Sequence, residues 1–323
     1  MVVWQRCSGI DPLNAMTTNA MKRFSLYDKI TGPWGRTAVI GMPMAFLLAV
    51  FLLPFLVVFK ISLSEMDTVF FKDVLTWVEQ TLTLKIHFGN YSSLAQDTLY
   101  IQTYLSSIKF AAITTGICLV IAYPFAYFMA RSPADKRPAL LMLVMLPFWT
   151  SFLLRVYAWK MLLADSGVFN NVAMSIGLIS EPIKMMNTPF SLVLGMVYTY
   201  VPFMILPLYA NLVKMDLRLL EAALDLGATP WQAFWRITVP LSKSGIIAGS
   251  MLVFIPCVGE FVIPELLGGP ETLMIGRVLW DEFFSNNDWP MAATVAVVMV
   301  LLIIVPLALF NKYQAESTTG GRA

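Results

Sequence analysis

The stretch EAALDLGATPWQAFWRITVP, residues 221–240, is the part of this chain whose reading decides the fold. Glu221, Ala222, Ala223, Leu224, Asp225 and Leu226 favour helix, and Gly227 and Pro230 force a break. Residues 231–237 resume as a second amphipathic turn that stops before Pro240. The pattern predicts a bent pair of surface helices. Small side chains at Ala222 and Ala223 leave room for a partner's backbone, and Gly227 supplies a conformation that other residues resist. The Glu221 carboxylate is placed to meet an arginine or lysine opposite. A segment of this kind can also lie flat on lipid headgroups, but Glu221 and Asp225 would repel an anionic surface. A cytoplasmic protein partner is the better expectation.

On either side of this segment the chain is strongly apolar. Of its 323 residues 58% are hydrophobic and only 13% charged, which leaves too little polar surface to coat a soluble globule. A window of about 20 residues, enough to cross about 30 Å of hydrocarbon, predicts six spans. They fall near residues 38–59, 104–130, 139–163, 190–213, 245–267 and 290–311. The first apolar run starts late, is long and lacks a small-residue cleavage site, so it is expected to remain as an anchor. Residues 1–36 are expected to be a disordered cytoplasmic segment, with Met16 or Met21 as candidate initiators. Residues 37–311 form the membrane domain and 312–323 a cytoplasmic tail.

Orientation follows from lysine and arginine, which resist translocation far more than acids do. Lys22, Arg23, Lys29 and Arg36 precede span one; Arg131, Lys136 and Arg137 follow span two; Lys214, Arg218, Arg236 and Lys243 follow span four; Lys312 and Arg322 come after span six. The intervening segments carry Glu65, Asp67, Asp73, Glu79 and Asp97, then Glu181, then Glu271, Asp281, Glu282 and Asp288. Both termini and residues 214–243 are therefore expected on the cytoplasmic side. In the long outer segment, residues 60–103, the Asn90–Tyr91 and Tyr100–Tyr104 regions suggest a short interfacial helix.

Several function classes are disfavoured at once. A net charge of +2 with no continuous basic stripe gives no sign of a nucleic-acid partner. Cys7, Cys118 and Cys257 are too scattered for a disulfide framework, and His87 has no second ligand nearby in sequence, so no metal site is expected. No Gly-x-x-x-x-Gly-Lys-Ser/Thr phosphate loop is present.

In its cytoplasmic segment the chain resembles the permease subunits of binding-protein-dependent ABC importers. Their signature reads EAA, three residues, G, nine residues, I, x, L, P. Glu221, Ala222, Ala223, Gly227, Ile237 and Pro240 match it, and Val239 stands where leucine is usual. Further runs are similar to the spermidine/putrescine branch: Tyr123–Pro124, residues 147–152, residues 155–159, residues 201–204 and residues 259–269. Within that branch the pattern is most similar to the permease of putrescine importers, which pairs with a second, different permease.

The resemblance implies an all-α polytopic membrane protein of the type I ABC importer permease fold, in a bacterial inner membrane. It implies that residues 214–243 hold a coupling helix seated in an ATP-binding subunit. The implied partners are a second homologous permease, two ATP-binding cassette subunits and a periplasmic polyamine-binding protein, besides membrane lipid. ATP and magnesium would be bound by those partners, so this chain is not expected to be an enzyme or to hold a cofactor. Two alternatives stay open: an ABC permease for another small solute, and a stand-alone secondary carrier, against which the coupling segment and the lack of duplicated halves speak.

One intramembrane carboxylate suits a cationic cargo. Glu260 lies about fifteen residues into span five, roughly 20 Å from the cytoplasmic end at 1.5 Å per residue. A carboxylate in lipid costs about 2.5 to 3.5 kcal/mol on insertion scales, unless it faces a wet cavity or a cation. Pro256, Gly259 and Pro264 bracket it and loosen the helix. Putrescine is a short dication, and a carboxylate beside aromatic faces would hold it, each cation–π contact giving about 0.5 to 2 kcal/mol. Phe261, Tyr157 and Trp159 are the candidate faces, and Glu265 is a further path candidate. In the competing arrangement Glu260 pairs with Arg155 or Lys160 and only fixes helix packing. Tyr123, Tyr127 and Tyr200 are assigned mostly to interfacial belts and packing.

Overall fold

Prolines, glycines and the lengths of the apolar runs set the element boundaries. In the computed structural model of the chain, the described residues are 33–66, 75–78, 81–84 and 87–319. The disordered segment expected over residues 1–36 lies almost entirely outside them. The chain divides into two compact units, Met1–Lys60 and Ile61–Ala323.

The first unit contains α1 (Pro33–Leu47), a π turn (Leu48–Leu52) and most of α2 (Leu53–Ser62), together the first apolar span. Phe46 and Phe51 stand exposed on it, as suits a helix that meets lipid.

In the second unit, after the end of α2, comes a hairpin of β1 (Leu75–Val78) and β2 (Thr81–Leu84), antiparallel with Leu75 opposite Leu84. This is the one strand pair among the described residues, in a chain otherwise helical. A short helix, α3 (Gly89–Gln96), follows. Asn90 Nδ2 donates to the Ser64 carbonyl at 2.9 Å, and the Tyr91 and Ser62 hydroxyls are 2.8 Å apart, which ties this helix to the end of the first span. The interfacial helix expected near Asn90–Tyr91 is thus α3, but Tyr100–Tyr104 belongs to the next element. That element, α4 (Thr98–Arg131), starts where the Asp97 side chain accepts from the Leu99 N–H.

Span three is not one helix. It consists of α5 (Arg137–Met145), a 3-10 turn (Leu146–Trp149) and α6 (Phe152–Leu163), continued by α7 (Val168–Ser175), with a bend of 81° at the break. Pro147 removes an N–H and Thr150 is extended, so the ladder cannot pass. The fourth span, α8 (Pro189–Leu212), opens on a Thr188–Ser191 capping box and stays continuous through Pro202 and Pro207.

After α8 comes α9 (Arg218–Asp225), α10 (Pro230–Ala233), a π turn (Phe234–Thr238) and α11 (Val239–Leu241), which leads at a 64° bend into α12 (Lys243–Val258). Span five also breaks: α12 ends at Gly259 and α13 (Val262–Leu267) restarts beyond it. A helix α14 (Ile275–Trp280) and a π turn (Asp281–Ser285) precede α15 (Trp289–Thr319), which continues past the expected end of span six at residue 311. Among the described residues four helices are long and apolar enough to span alone, or up to six if each of the two bent pairs counts as one span.

The core lies where α4, α8 and α12 meet, with Cys118, Ala122, Met196, Met204, Leu208 and Val253 fully buried. Gly245 and Gly249 form a small-xxx-small face on α12. A Cβ on Gly249 would sit 2.7 Å from Met204 Sδ, and one on Gly245 would sit 2.8 Å from Asn211 Cβ, so only glycine lets the two helices come this close. Buried hydroxyls pin the end of the bundle away from Arg131: Tyr104 donates to the Val295 carbonyl at 2.8 Å, Ser191 donates to that of Leu267 at 2.7 Å, and Ser107 accepts from the Ile275 N–H at 2.8 Å.

Candidate functional site

Two places hold the residues singled out from the sequence. The first is residues 221–240. Helix α9 ends in a full Schellman motif: the Gly227 N–H donates to the Leu224 carbonyl at 2.9 Å and the Ala228 N–H to that of Ala223 at 3.0 Å, with Gly227 at φ +84°. The chain then turns, and Thr229 and Gln232 form a capping box that starts α10 with Pro230 in its first turn. These signals fix the angle between the two short helices.

The two sides of the segment differ sharply. Outward it is bare: Leu226 is 89% exposed, Trp231 68% and Trp235 52%, and Glu221, Ala222, Asp225, Gly227 and Pro240 are exposed with them. Ala223 and Ile237 are half-buried. Inward, Ala233 is buried and the Phe234 ring meets Tyr123 at 5.5 Å and Tyr127 at 5.9 Å, both edge-on. The Tyr123 hydroxyl lies 2.8 Å from the Ser242 hydroxyl, and Arg131 stacks over Tyr127 at 5.1 Å. A wedge is keyed onto the Arg131 end of α4 and leaves an apolar face with one acidic corner exposed. Sequence reading missed this link, because Tyr123 and Tyr127 look like belt residues until Phe234 is placed between them. Tyr123→Phe is expected to loosen the wedge by about 0.5 to 1.5 kcal/mol, the value of one hydrogen bond. The solubilised protein would melt at a lower temperature, with little change in expression.

The second place is the break in span five. Glu260 is half-buried between α12 and α13, not inside a continuous helix. Its Oε1 accepts from the Val262 N–H at 3.1 Å, which restarts the chain as α13, and its Oε2 accepts from the Tyr200 hydroxyl at 2.5 Å. A carboxylate has about four acceptor positions, so two bonds leave it able to receive a cation. Among the described residues neither Arg155 nor Lys160 forms an ion pair with it; Arg155 lies instead over the Phe148 ring at 5.0 Å. Tyr200 and Phe203 also line an apolar hollow of about 510 Å³ with Met251, Ile255 and Pro256.

The aromatic neighbours differ from those expected. Phe261 stacks flat on Trp280 at 4.5 Å and 8°, and Trp280 meets Phe284 at 4.1 Å. Trp159 packs against Tyr198 at 5.4 Å and Phe169 at 6.4 Å, and Tyr157 is 49% exposed, so the bend in span three takes both to other surroundings. Tyr200, on α8, is the aromatic residue that reaches the carboxylate. No spacing rule joins residues 200 and 260; only the packing of α8 on α12 does.

The acids Glu265, Asp281, Glu282 and Asp288 have structural partners. Glu265 Oε2 is 2.7 Å from Arg277 Nε, and Asp281 Oδ2 is 4.0 Å from it. Glu282 accepts from Tyr100 at 2.7 Å and from Asn286 at 2.9 Å, and Asp288 caps α15 by accepting from the Met291 N–H. Beneath them α14 presses on the break. A Cβ at Gly276 would lie 2.6 Å from both the Gly259 and Glu260 carbonyl oxygens. Gly276→Ala must push α14 off this backbone, and overpacking of this sort costs about 1 to 3 kcal/mol. A lowered melting temperature of the detergent-solubilised complex, with reduced uptake, is the expected outcome.

A polytopic helical bundle with an exposed amphipathic wedge defines a helical membrane protein. The family described as binding-protein-dependent transport system inner membrane component matches residues 20–315, and the chain belongs to it. Among curated relatives, the spermidine/putrescine transport system permease protein PotB of Escherichia coli is 42% identical over 255 residues, which cover 77% of this chain and 91% of that protein. PotB of Haemophilus influenzae is 43% identical over 227 residues, 70% of this chain and 78% of that one. Among solved structures, a bacterial ABC transporter involved in the import of the acidic polysaccharide alginate aligns with a TM-score of 0.59 at 19% identity, over 89% of this chain and 99% of that one. The fold is that of the type I ABC importer permeases.

Proposed function

We propose that this chain is one permease half of an ABC importer that moves a polyamine, putrescine foremost, from the periplasm to the cytoplasm by alternating access. A second permease completes the path. Two ATP-binding subunits, which bind the ATP and magnesium, grip the wedge at residues 221–240, and a periplasmic receptor delivers the cargo. Both termini lie on the cytoplasmic side.

The observation that carries this reading is the two-sided wedge, apolar and bare outward yet locked by Phe234 and Ser242 onto α4 inward. Such a part passes movement from a docked protein to the spans. Similarity to the PotB proteins supports the polyamine cargo, and Glu260 at the broken span suits a cation. Uptake of labelled putrescine by proteoliposomes holding the complete complex tests it, with spermidine and an anionic sugar as competitors. Inhibition by the polyamine alone is the expected result. Uptake that continues without the ATP-binding subunits would refute the importer.

A further inference from the structure

On the outer half of the bundle, α4 and α8 run side by side and leave an apolar groove of about 620 Å³ between them. Its walls are Ile113, Ile117 and Ile121 from α4 and Phe190, Val193 and Leu194 from α8. Two charged residues stand on the same groove, Lys109 and Glu271. Both are exposed, and no ion pair joins them among the described residues.

Depth gives these charges a meaning. Counted back from Arg131 and from Leu212, about 20 residues of helix cross the hydrocarbon, which puts Lys109 and the start of α8 at the headgroup level of the leaflet away from Arg131. From there the groove follows α4 to Ile121, about 18 Å inward at 1.5 Å per residue, beyond the bilayer midplane. A further hollow of about 430 Å³ shares Ile121, Leu194 and Val197 and extends toward Phe125.

We infer that this groove is a binding site for a phospholipid with an ethanolamine headgroup. An acyl chain lies along the isoleucine stripe, the Lys109 ammonium meets the phosphate and the Glu271 carboxylate meets the headgroup ammonium. A groove built for a transmembrane helix of another subunit has no need of a cation and an anion together at one end. A primary ammonium donates hydrogen bonds to a carboxylate and a quaternary one cannot, so ethanolamine is favoured over choline.

The test uses the complete transporter in nanodiscs of phosphatidylethanolamine and phosphatidylcholine in equal parts, re-extracted and weighed by native mass spectrometry. The wild type is expected to retain the ethanolamine lipid over the choline lipid by at least about fivefold, and Lys109→Glu to abolish the preference. Adding Glu271→Lys to Lys109→Glu exchanges the two seats and restores it. Ile117→Trp fills the groove and lowers retention of both lipids, with assembly followed by size-exclusion chromatography. Equal retention of the two lipids by the wild type overturns the inference. So does a cross-link from Ile117→Cys to another polypeptide in the intact complex, because a protein helix then occupies the groove.

Discussion

Trp231→Ala combined with Leu226→Glu is expected to strip the ATP-binding subunit from the solubilised transporter. Both side chains are exposed; Trp231 stacks on Phe234 at 6.0 Å, but the edge-on contact of Phe234 with Tyr123 and the Tyr123–Ser242 hydroxyl pair remain to keep the segment in place beneath them. A tryptophan at the centre of an interface commonly contributes 2 kcal/mol or more, so retention should fall by about thirtyfold or more, with a buried glutamate adding to the loss. Glu221→Arg acts in the same direction by placing a cation where an arginine or lysine of the partner is expected. Membrane insertion and the melting temperature of the permease should stay near wild type. Undiminished capture of the ATP-binding subunit by both the double variant and Glu221→Arg would remove the coupling role from this segment.

The second large effect is expected at Glu260. Glu260→Gln keeps one oxygen to accept from the Val262 N–H, so the break between α12 and α13 survives, while its new NH2 donates to the Tyr200 hydroxyl, which turns to accept. What it removes is the charge that holds an ammonium group. Hydrogen bonds to charged partners contribute about 1.5 to 3 kcal/mol, which corresponds to roughly a ten- to hundredfold loss of polyamine uptake at low substrate. Basal ATPase activity and assembly should persist. Tyr200→Phe keeps the charge and loses one donor, so its effect on uptake should be smaller. Normal uptake by Glu260→Gln would leave this carboxylate as a packing residue.

The spans were legible because a bilayer demands long apolar runs, and the wedge was legible because its stop signals are local. Gly227 at positive φ, the Thr229 cap and Pro230 act over four residues and need no tertiary help. Spans three and five looked continuous by hydropathy, yet both break, since a mean over 20 residues does not register Pro147 or the Gly259–Phe261 step. The surroundings of Glu260 depend on that break. Tyr200 reaches it from another helix, and Trp280 covers Phe261 because Gly276 lets α14 come down onto the chain. Contacts between separate elements, 16 to 60 positions apart, leave no periodic trace in a single sequence, so Tyr157 and Trp159, nearer in kind than in space, were the expected faces instead.

The central claim, a cytoplasmic wedge covered by an ATP-driven partner, is tested most directly by cysteine accessibility. Cys118 and Cys257 are buried, so a chain with Cys7→Ser and Leu226→Cys presents one reactive thiol from the described region. In inside-out vesicles a membrane-impermeant maleimide should label it rapidly in the permease alone and slowly once the ATP-binding subunits are present. Labelling from the periplasmic side, or equal labelling with and without those subunits, would contradict the account.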